Sequence, residues 1–308
     1  MAQPARSDHA MAYDSARGVV VLFGGSIYGY DNGATWEWDG ATWTERNVSG
    51  PGSRAGHAMA YDSARGVVVL FGGTTYGYGS DNGATWEWDG DTWAAVHPGA
   101  SDSAEAPSPR AGHAMAYDSA RGVVVLFGGG KYGYDHRGDT WEWDGTTWSK
   151  VHDGSPDGVT APTPRSDHAM AYDSARGVVV LFGGDDTGYL LSDDTWEWDG
   201  TEWIAGPAAG PSARSRHATA YDTAREEVML FGGIDDYYQA DDETWEYASS
   251  GDPKGPIAGD LNADGTVDIT DLLTLLSDWG LCICCPSDIN NDNVVNIQDL
   301  LELLANWG

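Results

Sequence analysis

A run of consecutive apolar residues closed by two glycines recurs along the chain. The first copy, residues 18–25, reads Gly-Val-Val-Val-Leu-Phe-Gly-Gly; it returns at 66–73, 122–129 and 177–184, with an altered fifth copy at 227–233. Such short runs, rich in Val and bounded by glycines, are typical of strands buried on both faces. All five phenylalanines lie in these copies. A residue that recurs five times at one position of a repeat indicates first of all a structural role.

Each buried strand lies within a longer repeated unit. The unit starts with Arg-x-x-His, whose histidines are His9, His57, His113, His168 and His217. An alternating strand, Ala-Met-Ala-Tyr-Asp, then precedes the buried strand, and a variable loop leads to Thr-Trp-Glu-Trp. An Asp-Gly hairpin turn opens the fourth strand. The histidines are 48, 56, 55 and 49 residues apart, and four strands on a period near 50 predict one blade of a β-propeller.

The fifth unit is shorter than the others. It supplies three strands and a single tryptophan, Trp245, and no Gly-x-x-Trp follows. The sequence therefore predicts five blades, of which the last is incomplete.

Three landmarks of the unit carry a family resemblance. Arg-x-x-His, the apolar strand ending in Gly-Gly, and Thr-Trp-Glu-Trp-Asp-Gly-x-x-Trp together resemble the kelch repeat over residues 4–248. The resemblance implies an all-β, kelch-type propeller domain over residues 1–248, with four-stranded antiparallel blades around a channel. Kelch propellers more often have six or seven blades. Either the five blades form a ring with an imperfect seam, or the natural gene extends upstream. We expect the second, because the sequence also does not start with a secretion signal.

Charge restricts the partners of the protein. Acidic residues outnumber basic ones by 48 to 16, which gives a formal net charge of −32. Nucleic acids and anionic membranes bind basic surfaces, so neither is an expected partner. No apolar stretch approaches the ~18 residues of a membrane span.

The end of the chain contains a second duplication. After a Gly/Pro/Ser linker at 249–258, residues 260–280 align with 288–308, and 12 of the 21 positions are identical. Each half starts as a polar loop and continues as a helix with one apolar stripe, formed in the first half by Leu272, Leu275, Leu276 and Trp279. The sequence predicts a small all-α module over residues 259–308.

The two polar loops have the spacing of calcium ligands. Oxygen atoms at loop positions 1, 3, 5 and 12, with a carbonyl at position 7 and a water-mediated ligand at position 9, surround a cation of calcium size. We expect two Ca²⁺ ions here and no cofactor in the propeller. The predicted ligands are Asp260, Asn262, Asp264, Thr266, Asp268 and Asp271 in the first loop, and Asp288, Asn290, Asp292, Val294, Asn296 and Asp299 in the second.

A duplicated loop-helix at a chain end resembles a dockerin module. The residues before the loops, Gly255-Pro-Ile-Ala-Gly and Cys-Cys-Pro286-Ser, rule out the entering helix of a complete EF-hand. The resemblance implies a cohesin-like scaffold as partner, contacted through Ile269, Thr270, Ile297 and Gln298. The connector contains Cys282, Cys284 and Cys285. A zinc or redox site lacks the further residues that it needs, so we expect one local disulfide, of undetermined pairing, in an oxidising compartment.

The variable loops are the candidate ligand-binding part of the propeller. By strand counting they emerge on the same face as the connections between blades, and they carry Tyr28, Tyr30, Tyr76, Tyr78, Tyr132 and Tyr134. Tyrosine among Asp and Gly suits binding of a sugar or a protein. The alternative is that Tyr-Gly-Tyr packs the loop onto its blade. Lys131, His136 and Arg137 form a basic cluster on this rim, the expected place for an acidic group of a ligand.

The repeated Arg and His are expected to be structural, because chemistry needs a singular constellation. No catalytic residue is predicted. The sequence thus favours an extracellular, non-enzymatic binding protein, whose propeller recognises a glycan or protein and whose dockerin-like module anchors it in a calcium-dependent way. The alternative is a polysaccharide-active hydrolase with its site on the loop face, which would need a singular pair of carboxylates at the channel mouth.

Overall fold

The computed structural model describes residues 4–75, 80–99, 105–131, 135–186, 190–207 and 210–248, together with three short strands after residue 252. The described part forms five antiparallel four-stranded sheets, in each of which the strands lie side by side in chain order. This is a five-bladed β-propeller.

The strand bounds repeat from blade to blade. Blade 1 contains Ala10–Asp14, Val19–Phe23, Thr35–Trp38 and Trp43–Arg46. Blades 2 and 3 contain Ala58–Asp62, Val67–Phe71, Thr85–Trp88 and Trp93–His97, then Ala114–Asp118, Val123–Phe127, Thr140–Trp143 and Trp148–His152. Blades 4 and 5 contain Ala169–Asp173, Val178–Phe182, Thr195–Trp198 and Trp203–Ala205, then Ala218–Asp222, Glu227–Phe231, Thr244–Ala248 and Pro253–Lys254.

The fifth blade corrects the expectation of three strands. Pro253–Lys254, inside the predicted linker, pairs with Glu246 and Tyr247 as a two-residue fourth strand. Pro lacks a backbone donor, and an edge strand tolerates this because one of its two edges needs no partner within the sheet. The sequence signal failed because this strand lacks the Gly-x-x-Trp of the other blades.

Local hydrogen bonds explain why the first turn of each blade forms. The Asp14 carboxylate accepts bonds from the backbone N–H groups of Ala16 and Arg17, both at 3.1 Å. Gly18 closes the turn at φ 68°, a conformation that costs glycine little. Asp62, Asp118 and Asp173 do the same in the next three blades.

Each blade has two different faces. The tryptophan face of blade 2 carries Met59, Leu70, Trp88 and Trp93, and it packs on the phenylalanine face of blade 1, which carries Ala12, Val21 and Phe23. The same pairing of faces joins blade 3 to blade 2 and blade 4 to blade 3. The core of the propeller therefore lies between the blades.

Hydrogen bonds fix the register between neighbouring blades. Trp93 Nε1 donates to Thr35 Oγ1 of the preceding blade at 2.9 Å, and Trp88 Nε1 donates to Glu37 Oε1 at 3.2 Å. Blades 3 and 4 repeat both bonds. In blade 5, Tyr247 replaces the tryptophan and donates to Glu197 at 2.8 Å. Buried indole N–H groups need such partners.

The Gly-Gly pair lies where the backbone of the next blade comes closest. A Cβ added to Gly24 would stand 2.7 Å from the Arg54 carbonyl oxygen and 2.7 Å from His57 Cε1. Gly25 N–H donates to that same carbonyl at 2.9 Å. Only glycine leaves room for this approach, which explains the repeated Gly-Gly.

Shorter elements complete the fold. Three two-stranded pairs lie beside the blades: Ser26–Ile27 with Tyr30–Asp31, Thr74–Thr75 with Ser80–Asp81, and Arg165–Ser166 with Asp185–Asp186. Near the end of the chain Gly280–Leu281 pairs antiparallel with Val294–Val295. No helix in the described part of the chain is long and apolar enough to cross a membrane.

Candidate functional site

The variable loops and the inter-blade connections share one end of the propeller, here named the loop face. Backbone bridges join them directly: Ala55 to Thr74, Ala111 to Gly130, and Ser215 to Ile234. Any ligand of the variable loops would thus also meet the residues between the repeated Arg and His.

A series of backbone hydrogen bonds runs from blade to blade around the channel on the loop face. The residue two positions after each repeated Arg has a positive φ of 54° to 67°; these residues are Asp8, Gly56, Gly112, Asp167 and Arg216. Each N–H donates to the carbonyl of the preceding member at 2.8–2.9 Å, from Gly56 to Asp8 through to Arg216 to Asp167. The backbone is uniform here, but the side chains differ from blade to blade.

The central channel offers few side chains suited to catalysis or to binding a polar ligand. The five innermost strands line an open cavity of about 340 Å³, formed by Ala, Met and Tyr residues and Thr219. The loop face is therefore the better candidate among the described residues.

A charged pocket lies between blades 4 and 5 on the loop face. It has a volume of about 100 Å³ and is lined by Asp167, Asp185, Leu191, Ser215, Arg216, Ile234, Asp235, Asp236 and Tyr238. Four carboxylates and one guanidinium meet here, so the pocket can accept hydrogen bonds from hydroxyl groups and donate through the arginine.

Asp185 is the unusual acid of this pocket. Its Oδ1 is buried, with no hydrogen-bond partner among the described residues. Burial raises the pKa of Asp185, and the negative charges of Asp167 and Asp186 add to the effect. Arg216 Nε instead donates to Asp167 Oδ2, at 3.3 Å. A carboxylate with raised proton affinity in a cleft is typical of functional sites.

His136 lies beside this pocket rather than on the exposed rim. Its side chain is 9% exposed, and its Nε2 lies 3.3 Å from Ser166 Oγ. Its charge, when present, lowers the pKa of Asp185. Arg137 pairs with Asp135 at 2.9 Å. The predicted basic cluster is therefore wrong in its geometry, because His136 is enclosed and Arg137 has an acidic neighbour.

The pocket of Asp167, Asp185 and Arg216 was not predicted from the sequence. Arg-x-x-His recurs as a structural motif, and its variable positions carry the residues that line the pocket. The usable signal was variation inside a repeat: Gly56 and Gly112 occupy the positions that hold Asp8, Asp167 and Arg216 in the other blades. Side chains that differ between copies, at positions where the backbone conformation is the same, indicate that one blade has a specialised role.

The structure places the predicted tyrosines unequally. Tyr28 and Tyr30 are 98% and 74% exposed, so neither packs its loop onto the blade. Tyr237 and Tyr238 are similarly exposed on blade 5. Tyr76, Tyr78, Tyr132 and Tyr134 lie outside the described residues.

The repeated Arg and His are structural in the described blades. Arg110 Nη1 donates to the Gly128 carbonyl at 2.9 Å, and His57 Nε2 contacts the Phe23 carbonyl at 3.1 Å. The rings of His57 and Phe23 meet edge to face, 5.5 Å apart. These contacts agree with the role predicted for the motif at the start of each blade.

The calcium and partner residues predicted in the C-terminal module lie outside the described residues, except Val294, which stands in a short strand. Within the described part of the propeller, no group of three or more His, Cys, Asp or Glu side chains converges to hold a metal ion. The two Ca²⁺ ions therefore stay a prediction from the sequence.

Comparison with solved structures supports the fold assignment. The chain resembles YjhT with a TM-score of 0.64 and 14% sequence identity, covering 82% of this chain and 84% of that one. At this identity the likeness shows a shared fold and nothing about activity. No family model matches the sequence. No curated protein matches it either.

Proposed function

We propose that this chain is a secreted kelch-type propeller that binds a glycan on its loop face and is anchored through a dockerin-like module. The observation that carries the proposal is the exposure of Tyr28, Tyr30, Tyr237 and Tyr238 on that face. Large aromatic side chains held in solvent at loop tips suit stacking on a flat apolar ligand surface. Propellers are frequent scaffolds for such binding faces.

The charges around these tyrosines favour a neutral ligand. The pocket beside Tyr238 contains Asp167, Asp185, Asp235 and Asp236 against a single arginine. Carboxylates accept hydrogen bonds from sugar hydroxyls, whereas an anionic ligand would meet repulsion. A neutral polysaccharide combines an apolar ring face with many hydroxyl donors, and therefore fits both features.

The anchoring part of the proposal rests on the duplicated loops at residues 260–271 and 288–299. Their ligand spacing supports two Ca²⁺ ions, and their resemblance to dockerins supports a cohesin-type scaffold outside the cell as partner.

The binding test uses a panel of neutral polysaccharides and affinity electrophoresis. We expect the double variant Tyr28→Ala/Tyr30→Ala to lose at least tenfold in affinity, because truncating a central aromatic typically costs ~2 kcal/mol or more. Tyr13→Ala is the matched control, since Tyr13 is exposed at the opposite end of the innermost strand. Unchanged affinity of the double variant would move the site elsewhere, and binding of proteins alone would replace the glycan by a protein.

One observation favours an enzyme as the second candidate. Burial raises the pKa of Asp185, and Asp167 lines the same pocket. A carboxyl group of raised pKa beside a second carboxyl group is the arrangement that general-acid catalysis of glycoside hydrolysis uses. Release of reducing ends from a bound polysaccharide, abolished by Asp185→Asn, would support it. Binding without any product would leave the binding function alone.

A further inference from the structure

Each blade starts with an arginine, and in blades 3 to 5 this arginine pairs with an acidic residue just before the third strand. The pairs are Arg110 with Asp139, Arg165 with Asp194, and Arg214 with Glu243. Blades 1 and 2 have Ala34 and Ala84 at this position. Their arginines, Arg6 and Arg54, therefore lack the carboxylate that the repeat supplies elsewhere.

Blade 3 shows how many hydrogen bonds meet at this carboxylate. Arg110 donates to the two oxygens of Asp139 from Nη1 and Nη2, at 2.7 and 3.0 Å. Trp141 Nε1 donates to Asp139 Oδ2 at 2.7 Å. The Ser108 hydroxyl accepts a further bond from Arg110 Nη2, at 3.1 Å. The carboxylate thus receives three N–H donors and compensates the charge of a buried guanidinium.

Blade 2 keeps these donors and lacks both acceptors. Arg54 is 3% exposed, and its Nε and Nη1 donate to the carbonyls of Gly52 and Gly72 at 3.0 and 2.9 Å. Gly52 replaces the serine and Ala84 replaces the aspartate. Trp86 Nε1 is buried without a hydrogen-bond partner among the described residues. Burial lowers the pKa of Arg54 to about 10, so its charge is still present at neutral pH.

The donors of blade 2 point to the place that the carboxylate fills in blade 3, because the two blades have the same backbone geometry. Trp86 pairs with Leu70 across the sheet as Trp141 pairs with Leu126. The two arginines bond the equivalent backbone carbonyls at the same distances. Ala84 has the Cβ of an aspartate and lacks only the carboxylate group. The two sites therefore differ by the size and charge of one small anion.

We propose that a small monovalent anion, chloride or formate, binds between Arg54 and Trp86 at the position that the Asp139 carboxylate occupies in blade 3. It accepts hydrogen bonds from the guanidinium and from the indole N–H. A water molecule can accept the same bonds, but it leaves the buried positive charge uncompensated, which is costly. The side chain of Asp139 is 18% exposed, so an ion can reach the equivalent position of blade 2 from solvent.

Blade 1 has a second, more open copy of this arrangement. Trp36 Nε1 and Arg6 Nη2 are buried without hydrogen-bond partners among the described residues, and Ala34 replaces the acid. Arg6 as a whole is only partly buried. Solvent screens its charge more than that of Arg54, so the anion is expected to bind more weakly in blade 1 than in blade 2.

The test follows the indole N–H signal of Trp86 by nuclear magnetic resonance in the isotope-labelled full chain, and Trp86→Phe assigns this signal by removing it. Sodium gluconate, whose anion is too large for a site of carboxylate size, is replaced stepwise by sodium chloride at constant ionic strength. A second series uses sodium formate. We expect a saturating shift of the Trp86 signal, and no shift for Trp141, which already binds Asp139. A response to one of the two anions alone names the ion that the site selects.

Ala84→Asp supplies the carboxylate from the chain itself, so it should weaken anion binding at least tenfold and remove the saturating shift of Trp86. Ala41→Asp is the matched control, because Ala41 is exposed in a turn where blade 2 already has Asp91; its response should equal that of the parent chain. Unchanged signals of the remaining tryptophans show that each variant is folded.

Three results would overturn the proposal. A Trp86 signal that stays in place in both series would leave water as the acceptor. A linear shift shared with Trp141 would show a general salt effect without a site. A saturating shift that survives in Ala84→Asp would show that the anion binds elsewhere.

Discussion

At the residue scale, a single position decides whether the repeated buried arginine has a carboxylate partner. Arg110 is buried and makes a two-bonded contact with Asp139, at 2.7 and 3.0 Å. Burial opposes ionisation of Asp139, but the hydrogen bond and charge of Arg110 outweigh it and lower the pKa of Asp139. In blade 2 the corresponding residue is Ala84, and burial lowers the pKa of Arg54 to about 10.

We expect Ala84→Asp to stabilise the protein. The new carboxylate would pair with Arg54 and would also accept a bond from Trp86 Nε1, which is buried without a partner, as Asp139 does from Trp141 at 2.7 Å. Hydrogen bonds to charged groups contribute about 1.5–3 kcal/mol, and urea denaturation measures the gain. The matched reverse change, Asp139→Ala, should lower the free energy of unfolding by about 3–5 kcal/mol because it strands a buried arginine. A loss of stability in Ala84→Asp would contradict this account.

The buried histidines predict sensitivity to mild acid. Burial, and next the neighbouring arginine, lowers the pKa of His57 and His113 to about 3 and that of His217 to about 4; His168 is lowered as well. The unfolded chain binds protons below its histidine pKa near 6.5, and the folded chain does not. Stability is therefore fully present above about pH 6.5 and is lost as the pH falls towards the folded values.

The expected loss is about 2 kcal/mol per histidine between about pH 6.5 and 5. Urea denaturation at several pH values in this range measures it, and carboxylates interfere little because most of them titrate at lower pH. His57→Gln removes one titrating group and should reduce the slope by about a quarter. A free energy of unfolding that stays constant across the range would show that these histidines already bind protons in the folded state.

Repetition along the chain decided which residue roles could be predicted from the sequence. The structural role of Arg and His followed from their five equivalent copies. Asp185 and Arg216 could not be found in this way, because their importance comes from neighbours on another blade. Burial of Asp185 Oδ1 is a property of the assembled loop face, and no local pattern encodes it.

At the element scale, the ends of the second strands are fixed by backbone contact, and glycine substitutions separate two costs. Gly72 has φ 75°, and an added Cβ would lie 2.6 Å from the Arg110 carbonyl; Gly66 has φ 69° with nothing within 4 Å. We expect Gly66→Ala to cost about 1–2 kcal/mol from its backbone conformation alone. Gly72→Ala should cost clearly more, because the neighbouring blade must also move. Equal melting temperatures for the two variants would disprove the close approach.

The strands themselves were predictable because two sequence patterns reflect how each strand is buried. The continuous apolar run gave the second strand of each blade and the alternation of Ala-Met-Ala-Tyr-Asp gave the first. The fourth strand of blade 5 was missed, since Pro253 and Lys254 have neither pattern and pair through Tyr247 and Glu246. Pairing partners, more than propensity, decided that element.

At the scale of the whole molecule, the repeat period correctly predicted a propeller and the five blades in this chain. It could not show that Met11 on the first blade and Phe231 on the last are exposed, because this depends on how the ring closes. The C-terminal module, its calcium ions and its dockerin-like role stay predictions from sequence spacing.

Calcium binding by the full chain tests that module. After treatment with a chelator, we expect calorimetric titration to show two Ca²⁺ ions per chain and the far-ultraviolet circular dichroism to gain helical signal, because the clustered aspartates repel one another without a cation. Asp271→Ala/Asp299→Ala removes the last ligand of both loops and should abolish both effects. Asp278→Asn, outside the ligand positions, is the matched control. Unchanged binding in the double variant would reject the proposed ligand sets.

The identity of the repeated strands has a consequence for how the protein acquires its structure. Seventeen consecutive residues are the same in blades 1 to 4, from His9 to Gly25 in the first, so a blade that docks out of turn makes nearly the same contacts as the correct one. Only the entropy of closing the connecting segments selects the order. Dilution of the complete unfolded chain from denaturant exposes all these competing pairings at once. Synthesis from the N-terminus lets each new blade meet its predecessor first, so the ribosome enforces an order that the interfaces cannot.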